Sequence, residues 1–368
     1  MPRKLVFVWE NIGPSHVDRI LACAADPVLD VTAVEFFARS TVYDWDNSGR
    51  TGLHIETLYP DGRAPRQPGL WWRLLKALRR ERPDAVFMCH YSEPAVFFVT
   101  LLLKLTGVRV YTMIDSKFDD MERSVWREAI KVLLLAPYAG ALAASRRSIA
   151  YMRFLGLNKR PVSDGFDRLD IARLQALPPA PGRAPLLHGE RDFLVVARLI
   201  REKNLELALS AYALWLKVAK YPRRLRILGG GPLEASLKTH AADLGIADRV
   251  DFEGPAAATA VATAMRDGLA LVFPSVQETY GFVVIEALAQ GLPVLITPIP
   301  GAVDDLIDNG VNGWIVDQDR PVVLAEAMAL LDRDEAAWRR ASAAALASAE
   351  RGDVRHFVVS VKTLVQAG

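Results

Sequence analysis

The stretch FLVVARLIREKNLELALSAYALWLKVA, residues 193–219, joins an apolar run, Phe193 to Ala197, through a charged loop, Arg198 to Asn204, to a helical pattern. Leu205, Ala208, Leu209, Tyr212, Leu216 and Ala219 recur at helical spacing and share one face. The apolar run does not alternate with polar residues. It reads as a strand covered on both faces, the kind from which parallel sheets flanked by helices are built.

The same punctuation repeats outward. Downstream lie Leu225 to Leu228, closed by Gly229-Gly230-Gly231-Pro232, then a helix to about Leu244 and short strands at Val250 to Phe252 and Leu269 to Phe273. A helix over Gly281 to Ala289 stops at Gly291, and strands at Pro293 to Thr297 and Gly313 to Val316 follow. Upstream, Leu177 to Gly189 holds Pro178, Pro179, Pro181 and Pro185 and reads as a linker. Before it, Lys4 to Trp9, Val31 to Ala38, Gly52 to Leu58, Ala85 to Cys89 and Val108 to Met113 read as strands. Helices are expected at His16 to Ala25, Pro68 to Arg82 and Pro94 to Thr106, and an apolar helix at Arg355 to Val365. The expectation is two doubly wound α/β halves, which suits a chain of 368 residues, too long for one core.

Composition narrows the function. Lys plus Arg number 45 against 43 Asp plus Glu, a balance that argues against a dedicated nucleic-acid binder. The two cysteines, Cys23 and Cys89, form no CxxC pair, so a zinc ribbon or disulfide scaffold is unsupported and a reduced, cytoplasmic setting is expected. The run Leu5 to Trp9 is short for a secretory signal, and neither Ala95 to Leu103 nor Val132 to Ala144 reaches the roughly 20 apolar residues that span a bilayer.

In open α/β sheets ligands bind outside the carboxyl ends of the strands, so the loops after strands carry the chemistry. After Phe193 to Ala197 come Arg198 and Lys203; after Leu269 to Phe273 come Glu278, Thr279, Tyr280, Gly281 and Phe282, with Glu286 further on. A sugar nucleotide needs cations and backbone N–H groups for its diphosphate, which Arg198, Lys203 and a helix N-terminus near Gly281 supply. Its hydroxyls need acceptors, and ionised Glu278 and Glu286 each accept several hydrogen bonds. Eight helical steps would separate these two carboxylates by roughly 12 Å, about the length of a sugar diphosphate. The loop Glu253-Gly254-Pro255 is placed to offer the base a backbone edge.

Here the residues resemble a known family. Pro274-Ser275 … Glu278-x-x-Gly281-Phe282 … Glu286-Ala287-Leu288-Ala289-x-Gly291-x-Pro293-Val294 resembles the E-x7-E signature of retaining GT-B glycosyltransferases of family 4. Val196-Ala197-Arg198-Leu199 … Glu202-Lys203-Asn204 is similar to that family's phosphate loop, and Leu228-Gly229-Gly230-Gly231-Pro232 and Val250-x-Phe252-x-Gly254 fit it too. The resemblance is dense over 193–316 and thin before it. It implies a GT-B fold: Rossmann-like acceptor-binding (1–180) and donor-binding (186–345) domains facing across a cleft, with residues 346–368 crossing back to the first. It also implies that Arg198 and Lys203 bind the diphosphate, Glu278 contacts the donor sugar, Glu286 holds the ribose, and Gly281 and Phe282 offer backbone amides. Gly230, Gly231, Pro255, Thr279 and Tyr280 complete the donor site. The family keeps the anomeric configuration and generally needs no metal or other cofactor. Thr279 stands where the family usually has glycine.

The first half is less legible. Asn11-Ile12-Gly13-Pro14-Ser15-His16 resembles the amino-terminal loop that faces the donor in that family, which assigns Gly13 and His16 to the donor side. Many relatives place a histidine after a later strand; here Val108 to Met113 leads to Asp115, which is either an acceptor-orienting base or a helix cap. The helix Pro68 to Arg82 joins Trp71 and Trp72 to Arg73, Lys76, Arg79 and Arg80, so it is either a packed helix with a solvated face or a contact with a membrane surface. The expected partners are a nucleotide-sugar donor and a glycan or lipid-linked acceptor. Three other readings stay open: a sugar-nucleotide epimerase, a phosphorylase, or a nucleotide-sugar-binding protein without catalysis. A dinucleotide fingerprint is excluded, because Gly229-x-Gly231 meets Glu234 where a third glycine is required.

Overall fold

A computed structural model describes residues 2–39, 48–60, 69–178, 184–221 and 223–367. The chain divides into two compact units, Met1–Asp170 with Asp353–Gly368, and Ile171–Gly352.

The first unit is built on β1 (Arg3–Trp9), β2 (Leu29–Phe37), β3 (Ile55–Tyr59), β4 (Ala85–Met88), β5 (Arg109–Ile114), β6 (Gly140–Ala143) and β7 (Val162–Ser163). They pair in parallel in the order β3-β2-β1-β4-β5-β6-β7. The order turns at β1, and right-handed crossovers then assign helices to faces. The connection from β1 to β2 runs one way across the sheet, and its helix Pro14–Ala24 covers one face. The connections β3 to β4, β4 to β5 and β5 to β6 run the other way, so helices Leu70–Glu81, Pro94–Leu105 and Val125–Leu135 belong to the opposite face, the first two packed together and the third packed on residues 153–157. Alternate residues of the strands divide accordingly. Val6, Val8, Val86 and Met88 join the core with Leu74, Leu78, Val96 and Val99. Phe7 instead stacks on Phe87 at 5.1 Å and meets Phe357 of the last helix, Val354–Gln366. That helix is fixed here by the Tyr111 hydroxyl, which donates to the Leu364 carbonyl at 2.8 Å.

The second unit repeats the plan with β8 (Asp192–Val196), β9 (Leu225–Leu228), β10 (Val250–Gly254), β11 (Gly268–Phe273), β12 (Val294–Ile296) and β13 (Gly313–Ile315), parallel in the order β10-β9-β8-β11-β12-β13. Its core carries a fully buried ion pair: Arg223 Nε donates to Asp332 Oδ1 at 2.7 Å, and Lys220 N–H caps the other carboxylate oxygen at 2.7 Å. His188 is buried beside them, its Nε2 2.9 Å from the Leu331 carbonyl.

Several sequence expectations shift. Part of the proline-rich linker, residues 179–183, lies outside the described residues, and the units divide earlier, after Asp170. The reason is that Ile171–Ala176 forms a helix held to the second unit by Gln290 Nε2, which donates to the Leu174 carbonyl at 2.7 Å. Residues 346–352 also stay with the second unit, where Arg351 Nη2 binds the Leu306 carbonyl at 2.8 Å, so the return begins at Asp353. The first helix starts at Pro14 rather than His16, because proline is accommodated at the first helical position. Pro68 lies outside the described residues, and the helix that follows begins at Leu70.

Candidate functional site

In the second unit the strand order reverses between β8 and β11, and the charged loops follow these two strands. The β8 loop makes a short 3-10 turn, Arg201–Lys203, and Asn204 in the left-handed region (φ 49) turns it into helix Leu205–Leu216. The Glu202 carbonyl accepts from Val276 N–H at 2.9 Å and from Gln277 N–H at 3.3 Å, which joins the two loops. Lys203 Nζ then donates to Glu278 Oε2, with both side chains mostly buried, and sits 5.3 Å from the centre of the Phe273 ring. Arg198, on the same loop, is exposed.

Glu278 is not in the helix that carries Glu286. The helix runs Phe282–Ala289, capped by Gly281 at φ 104, and Glu278 precedes it in an irregular turn. The all-helical separation of the two glutamates therefore does not apply: Glu278 is aimed by Lys203, while Glu286 is half-buried within the helix. A Cβ on Gly281 would stand 3.1 Å from the Phe273 ring, so backbone conformation and space both favour glycine there. Tyr280 is buried, and its carbonyl accepts from Ala302 N–H at 3.0 Å; Thr279 beside it is half-buried.

The triple glycine is more than a turn. Gly229 has φ 134, and a Cβ there would lie 1.9 Å from the Ala197 carbonyl oxygen; one on Gly231 would lie 2.5 Å from that of Leu199. Gly230 meets Pro255, and its carbonyl accepts from Leu199 N–H at 2.9 Å, while Gly229 N–H donates to Gly254 at 2.8 Å. The loops after β8, β9 and β10 are thus packed backbone to backbone, and Arg198, Gly231 and Pro255 on them are exposed.

In the first unit the order reverses between β1 and β4. Gly13 N–H donates to His16 Nδ1 at 2.9 Å, so the ring presents its other nitrogen as the donor in its neutral form. Burial of the ring, then the charges of Arg19 and Arg50, hold the His16 pKa well below the usual histidine range. Arg50 Nη1 binds buried Glu35 at 2.8 Å, and Glu35 Oε2 accepts from Ile12 N–H at 2.9 Å, which fixes the loop ahead of Gly13. Glu35 was the missed signal: one carboxylate inside the otherwise apolar end of β2. Asp115 follows β5, and its carbonyl accepts from Ser148 Oγ at 2.9 Å. The next turn, Phe118–Asp120, has Lys117 at its N-cap. Lys117 is fully buried between Asp119 at 3.1 Å and Asp120 at 2.9 Å. Among the described residues no three His, Cys, Asp or Glu side chains gather as metal ligands.

Residues 182–347 match the family model of glycosyl transferases, group 1. The D-inositol 3-phosphate glycosyltransferase of Frankia alni is 34% identical over 187 residues, 48% of this chain and 45% of that protein. The chain thus aligns with less than half the length of the curated relatives it matches. Solved structures extend the likeness to the whole fold. The apo form of the lipopolysaccharide outer core galactosyltransferase WaaB superposes with TM-score 0.74 at 16% identity, covering 98% of this chain and 99% of that one. Anabaena Alr3699/HepE in complex with UDP superposes with TM-score 0.75 at 16% identity, covering both chains completely. The fold is GT-B: two Rossmann-like units, each with a parallel sheet. The family match includes both charged loops and the glycine run, so it covers the switch point of the second unit.

Proposed function

We propose that the chain is a retaining glycosyltransferase that moves a sugar from a nucleoside-diphosphate donor to a glycan or lipid-linked glycan, in surface polysaccharide or glycoconjugate assembly. One observation carries this reading: the loops after β8 and β11 are joined by Glu202 and by the Lys203–Glu278 ion pair, at the switch point and one turn from the helix capped by Gly281. That arrangement gathers a cation, backbone N–H groups and carboxylates within one ligand's reach. Support comes from the group 1 family match and from HepE, solved with UDP and with UDP-glucose. WaaB, named for the lipopolysaccharide outer core, supports the polysaccharide setting.

In this reaction the bond from the anomeric carbon to the diphosphate oxygen breaks, and a bond to an acceptor hydroxyl oxygen forms on the same face. The hydroxyl proton passes to the departing diphosphate oxygen as that bond forms. Arg198 and Lys203 stabilise the negative charge that grows on the departing diphosphate, together with the helix dipole at Gly281. Glu278 orients the donor sugar, Glu286 holds the ribose, and the rim at Gly230, Gly231 and Pro255 takes the base. Gly13 and His16 serve donor binding, and Asp115 orients the acceptor hydroxyl. No metal or cofactor takes part.

The test is an assay of nucleoside diphosphate release and glycoside formation across donors and acceptors, with the product's anomeric configuration read by NMR. Retained configuration, abolished by Glu286→Ala with folding intact, is expected. An inverted product, or a requirement for inorganic phosphate without nucleotide, refutes the proposal.

A further inference from the structure

The three helices on one face of the first unit leave apolar side chains uncovered. Helix Leu70–Glu81 turns Leu70, Leu74, Leu75 and Leu78 into the core but leaves Trp71 and Trp72 outside. Trp71 packs edge-on against Phe98 of helix Pro94–Leu105, with ring centres 5.4 Å apart, and Leu105 ends that helix 76% exposed. Lys104 reaches the Ala136 carbonyl, which ties its end to the end of helix Val125–Leu135. There Trp126 is 81% exposed and Leu133 69%. Beside the first two helices runs a groove of about 290 Å³, lined by Leu75, Leu78, Leu102 and Leu103 with Arg79 and Arg82 among its walls.

The charge on this face has one sign. The only carboxylates on the three helices are Glu81 and Glu128, and both are buried and paired, with Lys4 at 3.1 Å and Lys131 at 2.8 Å. Lys76, Arg79, Lys104 and Arg127 are exposed, while the exposed acids Asp84, Asp119 and Glu122 lie in the loops beside the helices and not on them. Exposed tryptophan and leucine among lysine and arginine suit the boundary of a bilayer with anionic headgroups. A second copy of the same face would set cation against cation.

We propose that this three-helix face docks the first unit on an anionic lipid surface. The inference stands apart from the donor reading, since none of these residues belongs to the candidate site. It widens the surface from the tryptophan helix alone to its neighbours, with Trp126 and Leu133 as exposed anchors on the third helix.

The test floats the full chain with phosphatidylglycerol-containing vesicles and with phosphatidylcholine vesicles, at low and high salt. Binding to the anionic vesicles, weakened by salt, is expected. Lys76→Gln with Arg127→Gln should lower the partition by about fivefold per cation removed. Trp126→Ser with Leu133→Ser should abolish flotation, with the thermal midpoint of each variant unchanged. Absence of wild-type flotation, or flotation indifferent to both double variants, overturns the proposal. So does a wild-type dimer that Trp126→Ser with Leu133→Ser converts to monomer without any vesicle binding.

Discussion

Replacing Lys203 with methionine tests the site where its geometry is most specific. Lys203 and Glu278 are 14% and 16% exposed, so the pair lies between an exposed bridge and a buried one. Breaking an exposed pair costs up to about 1 kcal/mol, and orphaning a buried charge about 3–5. Lys203→Met should therefore destabilise the second unit by about 2 kcal/mol. A double-mutant cycle with Glu278→Gln should return a coupling of about 1–3 kcal/mol. The functional effects should differ in sign. A hydrogen bond from a charged group contributes about 1.5–3 kcal/mol, so Lys203→Met should weaken nucleoside diphosphate binding roughly 10- to 100-fold. Glu278→Gln frees Lys203 from its competing carboxylate, so it should bind the nucleoside diphosphate as tightly or more tightly while losing sugar transfer. Titration calorimetry of the two variants reads this directly. If both lose nucleotide affinity equally, Lys203 merely props Glu278 and the phosphate assignment is wrong.

Other expectations follow from packing and charge. Gly229→Ala should cost about 3 kcal/mol or more, because strain at φ 134 adds to the overlap with Ala197; Gly245→Ala, at φ 70 with open space, should cost about 1, and chemical denaturation compares them. Asp332→Ala leaves fully buried Arg223 without its carboxylate and should cost about 3–5 kcal/mol by the same measurement. His16 has a lowered folded pKa, so its contribution is full above the unfolded value near 6.5 and is lost as pH falls below it. His16→Asn, which keeps an acceptor for Gly13, should therefore flatten the fall of the thermal midpoint on acidification, and an unchanged slope would discard the assignment.

The second unit was legible because its strands are short, apolar and closed by glycine or charge, and because the loops after β8 and β11 carry charged residues of matched chemistry. What escaped depended on distance through space. Nothing in the spacing of Lys203 and Glu278 announces that they meet, and the roughly 12 Å separation of an all-helical path from Glu278 to Glu286 does not hold because the helix begins only at Phe282. The crowding at the glycine run was not legible because the carbonyls that exclude a Cβ belong to Ala197 and Leu199, on another loop. In the first unit, the strand Gly140–Ala143 has small residues and little pattern, and it went unread. Helix Val125–Leu135 was obscured because its apolar residues face outward as well as inward.

A thermal-shift titration of sugar nucleotides against the full chain and Arg198→Ala tests the central claim most directly. A matching donor at about 100 times its dissociation constant stabilises the folded state by about 2.7 kcal/mol, which for a unit of this size is a rise of roughly 5–10 °C. The account expects that rise in the wild type and a much smaller one in Arg198→Ala. A panel of uridine, guanosine, adenosine and thymidine diphosphate sugars that leaves the midpoint unmoved, or moves both proteins equally, contradicts it.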